Sequence, residues 1–115
     1  MKEIVIKSKT EESEEYKFKI RRLSFKDMKA IRELRKKIEE KGEKDDRTIG
    51  YYIIIETIKR GVVEPKLTED EIWNMPSFVV IDLNDHIMAY TQDTPFEEYR
   101  ELKERFAKTL ISLQS

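Results

Sequence analysis

The chain contains no cysteine, and that absence excludes disulfides, thiol nucleophiles and cysteine-bound zinc or iron–sulfur centres together. No apolar run reaches 18 residues, and the opening MKEIVIKSK lacks the long apolar core of a signal peptide. The expected location is therefore cytoplasmic, with no membrane partner. Asparagine and glutamine are scarce, at Asn74, Asn84, Gln92 and Gln114 only, whereas Lys, Arg and Glu abound. That skew suits a thermophile, whose protein surfaces carry many ion pairs.

What is present is charge, 41% of residues, beside an apolar set of 38%. Aromatic and β-branched residues are frequent enough to argue for a folded chain. At 115 residues there is room for one core, so residues 1–115 are read as a single domain. The net charge of −1 hides an asymmetry: residues 1–60 carry 18 basic against 13 acidic groups, and residues 61–115 carry 5 against 11. The plainer reading is that the halves neutralise each other within one fold. The other is that the basic half of one copy meets the acidic half of the next.

Periodicity gives an α+β order, an N-terminal β-hairpin followed by four or five helices. Ile4 to Ser8 and Tyr16 to Leu23 read as strands, the second because Tyr16, Phe18 and Ile20 alternate with Lys17, Lys19 and Arg21. Between them Lys9 to Glu15 holds no Gly or Asn for a tight turn, which predicts a long, mobile tip. Residues 1–23 form the hairpin, 24–92 a helical core and 93–115 a terminal amphipathic helix.

Ser24, three residues before Asp27, caps a helix whose Met28, Ile31, Leu34 and Ile38 make one apolar stripe, with Gly42 at its end. Residues 49 to 58 are ambiguous, because Tyr51-Tyr52-Ile53-Ile54-Ile55 favours strand. Thr48 as cap and Gly61 as stop tip the reading to a central helix, apolar nearly all round. Val62 to Lys66 crosses over in extended form before Pro65. Thr68 and Glu71 form a capping box for a short helix bearing Trp73, and Ser77 caps the next, which ends near Thr91. Thr94-Pro95-Phe96-Glu97 is the sharpest start signal. From it Phe96, Tyr99, Leu102, Phe106, Leu110 and Leu113 run as one stripe down about five turns.

Chemistry is sparse. His86 is the sole histidine, and no nucleophile elbow or phosphate-binding loop exists, so catalytic residues, cofactors and metals are all expected to be absent. Asp82, Asp85 and His86 fit one helix face as a weak metal set, more simply a solvated acidic face. Glu69, Asp70 and Glu71 are explained by a helix N-terminus that favours negative charge. A nucleic-acid reading would use Lys29, Arg32, Arg35, Lys36 and Lys37, diluted by Glu33, Glu39 and Glu40. Trp73, Tyr51 and Tyr52 suit a core and an interface alike. The terminal stripe differs, since a chain this small has little surface to cover it. The expected partner-binding residues are Phe96, Tyr99, Leu102, Phe106, Leu110, Leu113 and Trp73.

The order of parts resembles the tail-assembly chaperones of long-tailed bacteriophages and proviruses. The resemblance lies in the hairpin, the link Arg21-Arg22-Leu23-Ser24-Phe25-Lys26-Asp27, a central helix, and Val62-Val63-Glu64-Pro65-Lys66-Leu67-Thr68-Glu69-Asp70-Glu71-Ile72, over about residues 4 to 92. It implies a non-enzymatic protein in the host cytoplasm that coats an apolar, helical tape-measure protein and self-associates. The competing expectations are a small nucleic-acid-binding regulator using the basic helix at 24–42, and a structural or adaptor domain that homodimerises through its terminal helices.

Overall fold

A computed structural model describes residues 1–114 of the chain. In order, the elements are β1 (Lys2–Lys7), β2 (Glu15–Ile20), α1 (Phe25–Glu40), α2 (Asp46–Gly61), β3 (Val62–Glu64), α3 (Glu69–Trp73), α4 (Ser77–Thr91) and α5 (Phe96–Gln114). The protein is α+β and mostly helical. Ser115, the last residue of the expected terminal segment, lies outside the described residues.

β1 and β2 pair antiparallel, with Ile4 opposite Phe18 and Ile6 opposite Tyr16. Alternation places Ile4, Ile6, Phe18 and Ile20 on the buried face and Lys17 outside. The hairpin tip is long, residues 8–14, and in it the Ser8 hydroxyl accepts from the N–H groups of Thr10 and Glu11. The hairpin is also not the whole sheet. The extended stretch after Gly61 pairs with β2 as β3, Ile20 opposite Val62 and Lys19 opposite Glu64, in the order β1-β2-β3. At three residues, β3 is too short to show a period.

α1 starts where Ser24 and Asp27 form a full capping box, and its Gly42 sits at φ +101° beyond the last turn. Residues 49 to 58 are helical, but Asp45, not Thr48, is the cap. The Asp45 carboxylate accepts from the Arg47 N–H and from the Thr48 hydroxyl, so the carboxylate, the stronger acceptor, takes the position. α2 is also not enclosed on every side. It packs between α1 and α4, leaving Tyr51 and Tyr52 exposed. Its end is tight: a Cβ on Gly61 would stand 2.6 Å from Ile87 Cγ2.

Thr68 and Glu71 cap α3 reciprocally. Ser77 proves to be the first residue of α4 and not its cap. Pro76 holds the cap position without a side-chain bond, and its carbonyl accepts from Val79 and Val80. One buried cluster joins sheet and helices, with Ile20, Ile58, Ile72, Val79, Leu83 and Ile87 at its centre.

Candidate protein-binding surface

α5 turns back along α4 after Asp93, which takes a left-handed φ of 53°. The Tyr99 N–H donates to the Pro95 carbonyl, while the Thr94 hydroxyl donates to the Gln92 carbonyl. Phe96 lies flat on His86, with ring centres 3.7 Å apart and planes within 5°. The Arg100 guanidinium covers the same Phe96 ring at 4.7 Å.

Beyond Phe96 the seam is ionic. Arg100 pairs with Asp82, and its Nε lies 3.4 Å from Asp85 Oδ2 without hydrogen-bond alignment. Lys103 donates to Asp85 Oδ1 at 2.8 Å. Asp85 is 3% exposed, so these cations offset the cost of burying its charge. Burial pushes the His86 imidazole below its ordinary value, and burial together with the Asp85 charge pushes the Tyr99 hydroxyl up. Asp82, Asp85 and His86 are thus occupied by α5. Among the described residues no three His, Asp or Glu groups gather as a metal site.

This seam fixes which side of α5 looks inward. Phe96, Arg100, Lys103 and Ala107 face α4. At about 3.6 residues per turn, the line through Tyr99, Leu102, Phe106, Leu110 and Leu113 lies roughly a quarter-turn away. The stripe therefore does not seal the contact. Phe96 and Tyr99 are partly covered by α4, whereas Leu102, Phe106 (67% exposed), Leu110 and Leu113 are open, and Ile111 with them. Every residue from Glu101 to Leu113 is exposed.

No family model, no curated protein and no solved structure matches this chain.

Trp73, the remaining sequence candidate, is not on the α5 stripe. It is half-exposed and stands edge-on to Tyr51 and Tyr52, at centroid distances of 6.5 and 5.8 Å. Together with Ile72, Met75, Val80 and Ile81, Trp73 and Tyr51 border a groove of 290 Å³ between α2, α3 and α4. Ile81 also lines the cleft beneath α5, so the two apolar areas meet there.

One exposed residue escaped sequence reasoning. Phe25, the first residue of α1, is 95% exposed, with Lys26, Met28, Lys29 and Arg32 around it. The signal was available: on a helical wheel Phe25 stands about a third of a turn off the Met28–Ile31–Leu34–Ile38 stripe. Further along α1 the cations are partly neutralised, Lys29 by Glu33 and Arg35 by Glu39 and Asp46. No helix of the described residues is long and apolar enough to cross a membrane.

Proposed function

We propose that this chain is a non-enzymatic protein-binding and assembly protein that holds an apolar helical partner along α5 and associates with copies of itself. The observation that carries the reading is the geometry of α5. Two of its cations, Arg100 and Lys103, are spent on α4, and its apolar side, Leu102, Phe106, Leu110 and Leu113, is left uncovered along about three turns. A helix held this way presents anchors at three- and four-residue spacing, the pattern that grips another amphipathic helix. The tail-assembly-chaperone resemblance supplies a client of that kind, a long tape-measure-like helical protein.

A nucleic-acid regulator built on α1 is the weaker reading, because Glu33, Glu39 and Asp46 already engage two of its cations, Lys29 and Arg35. The test is co-expression with a long, tape-measure-like helical protein. Wild type is expected to retain it, and Phe106→Glu with Leu110→Glu to release it. Equal retention by both, or retention of DNA in its place with a steep salt dependence, overturns the proposal.

A further inference from the structure

Two apolar features of opposite shape remain once α5 is assigned, and their surroundings carry opposite charge. The first is a knob. Phe25 stands free at the start of α1 amid Lys26, Lys29 and Arg32, with no carboxylate among the residues that line its surroundings. Lys26 and Arg32 have no ionic partner among the described residues, so this corner keeps most of its positive charge. The second is the groove walled by Tyr51, Trp73, Met75 and Ile81. Beside it α3 carries Glu69, Asp70 and Glu71 ahead of Trp73, and Asp82 follows Ile81. Asp70 is exposed and without an ionic partner among the described residues, while Glu69 meets Lys59 at 3.6 Å. The α2 cations nearest the groove are Arg47, one turn before Tyr51, and Lys59, one turn after Ile55; Lys59 is shared between Glu56 and Glu69, which leaves the acids of α3 in excess.

Knob and groove lie toward opposite ends of α4. The Leu23 N–H, two residues before Phe25, donates to the Thr91 hydroxyl in the last turn of α4. Val80 and Ile81 of the groove lie in its first two turns. The intervening helix is about 15 Å long at 1.5 Å per residue, too far for Phe25 to enter the groove of its own chain. A feature and its complement at separate places on one molecule pair between copies head to tail, and such contacts propagate unless the rotation closes a ring.

We propose that Phe25 of one copy seats in the Tyr51–Trp73–Ile81 groove of the next, with Lys26, Lys29 and Arg32 set against Glu69, Asp70 and Glu71, giving head-to-tail chains of this protein. The proposal rests on the self-association half of the proposed function and assigns the surfaces that carry it. It leaves the α5 stripe free, so each copy in a row would present one apolar helix to the client.

Because the chain has no cysteine, single thiols can be placed without interference. Lys26→Cys and Asp70→Cys proteins, mixed and treated with a short bis-maleimide, are expected to give a cross-linked heterodimer that neither gives alone. In sedimentation, wild type is expected to grow with concentration beyond a dimer, Phe25→Ser to associate about tenfold more weakly, and Phe106→Ser to match wild type. Since Phe25 is almost wholly exposed, its replacement leaves the fold in place. Cross-linking of Lys26→Cys only to itself, or of Asp70→Cys to Leu113→Cys instead, overturns the docking. Wild-type oligomers indifferent to Phe25→Ser overturn it while leaving self-association standing. A strict monomer at every concentration overturns both.

Discussion

The Arg60 guanidinium, in the last turn of α2, donates to Asp27 Oδ1 in the first turn of α1 at 3.0 Å. Arg21, just past β2, takes Oδ2 at 2.9 Å, and the Ser24 N–H and hydroxyl share that oxygen. One buried carboxylate therefore ties strand, cap and two helices. Asp27→Ala removes half of the capping box and leaves Arg21 without its carboxylate and Arg60 with Glu56 alone, at an expected cost of about 2–4 kcal/mol. Urea denaturation measures it, and a loss under 0.5 kcal/mol would show that the junction is held by other contacts.

The same carboxylate sets an acid limit. The Arg21 guanidinium first, then the Ser24 N–H and the Arg60 guanidinium, hold Asp27 well below the usual carboxylate range. The unfolded chain thus takes up the proton first, so the stabilisation is complete above pH about 4 and drains away as pH falls below it. His86 acts in the same sense from a higher starting point. Burial lowers its affinity for a proton, so stability begins to decline as pH drops through about 6.5. Stability measured from pH 7.5 to 3 should show both limbs, with Asp27→Asn flattening only the acidic one.

Gly61 marks a close approach. A methyl there would meet Cγ2 and Cδ1 of Ile87 at 2.6 and 2.7 Å, and Ile87 is fully buried. Gly61→Ala should cost about 1–3 kcal/mol through overpacking. Combined with Ile87→Ala, the added methyl should occupy part of the vacated space, so the double variant is expected to lose less than the two single losses combined. Strict additivity would mean that the helices had already moved apart.

The α4–α5 seam depends on Asp85. Asp85→Ala leaves Lys103 without its carboxylate and Arg100 with Asp82 alone. Amide hydrogen exchange over residues 96–107 should accelerate by about tenfold or more while the sheet stays protected, because, among the described residues, only the Phe96–His86 stack and the Arg100–Asp82 pair would then hold α5 to α4. Uniform acceleration everywhere would instead place α5 within the cooperative core.

Substitutions on the outer stripe should separate binding from folding. Leu102→Ser and Phe106→Ser are expected to move stability by no more than about 0.5 kcal/mol, since both side chains are already in solvent. Thermal denaturation tests this. A large loss would reveal a cis contact for the stripe.

Local signals made much of the architecture legible. Ser24 with Asp27, Thr68 with Glu71, and Gly42 are short-range devices whose partners lie within four residues, and they mark helix ends at once. Tyr16, Phe18 and Ile20 gave the inner face of β2 for the same reason. What stayed hidden was set by distant groups. Val62 and Val63 became strand only because β2 offered a free edge, and Tyr51 and Tyr52 stay exposed because only the short α3, through Trp73, reaches that side of α2. The orientation of α5 was the least legible feature. Its apolar stripe was read as open to a partner, but the pairing of Arg100 and Lys103 with Asp82 and Asp85, which fixes the side that meets α4, joins residues on two helices and leaves no local signal.

The junction at Gly61 has a mechanical meaning. α2 ends at Gly61 and β3 begins at Val62 with no loop residue between them, while the Arg21 N–H donates to the Gly61 carbonyl. With Asp27 clamping the root of α1 to Arg60, the ring of Phe25 and the wall of Tyr51 are borne on one stiff frame. Copies joined through them would each repeat the same rotation and the same rise. The result would be a filament of single pitch, its spacing written into a helix end that has no hinge.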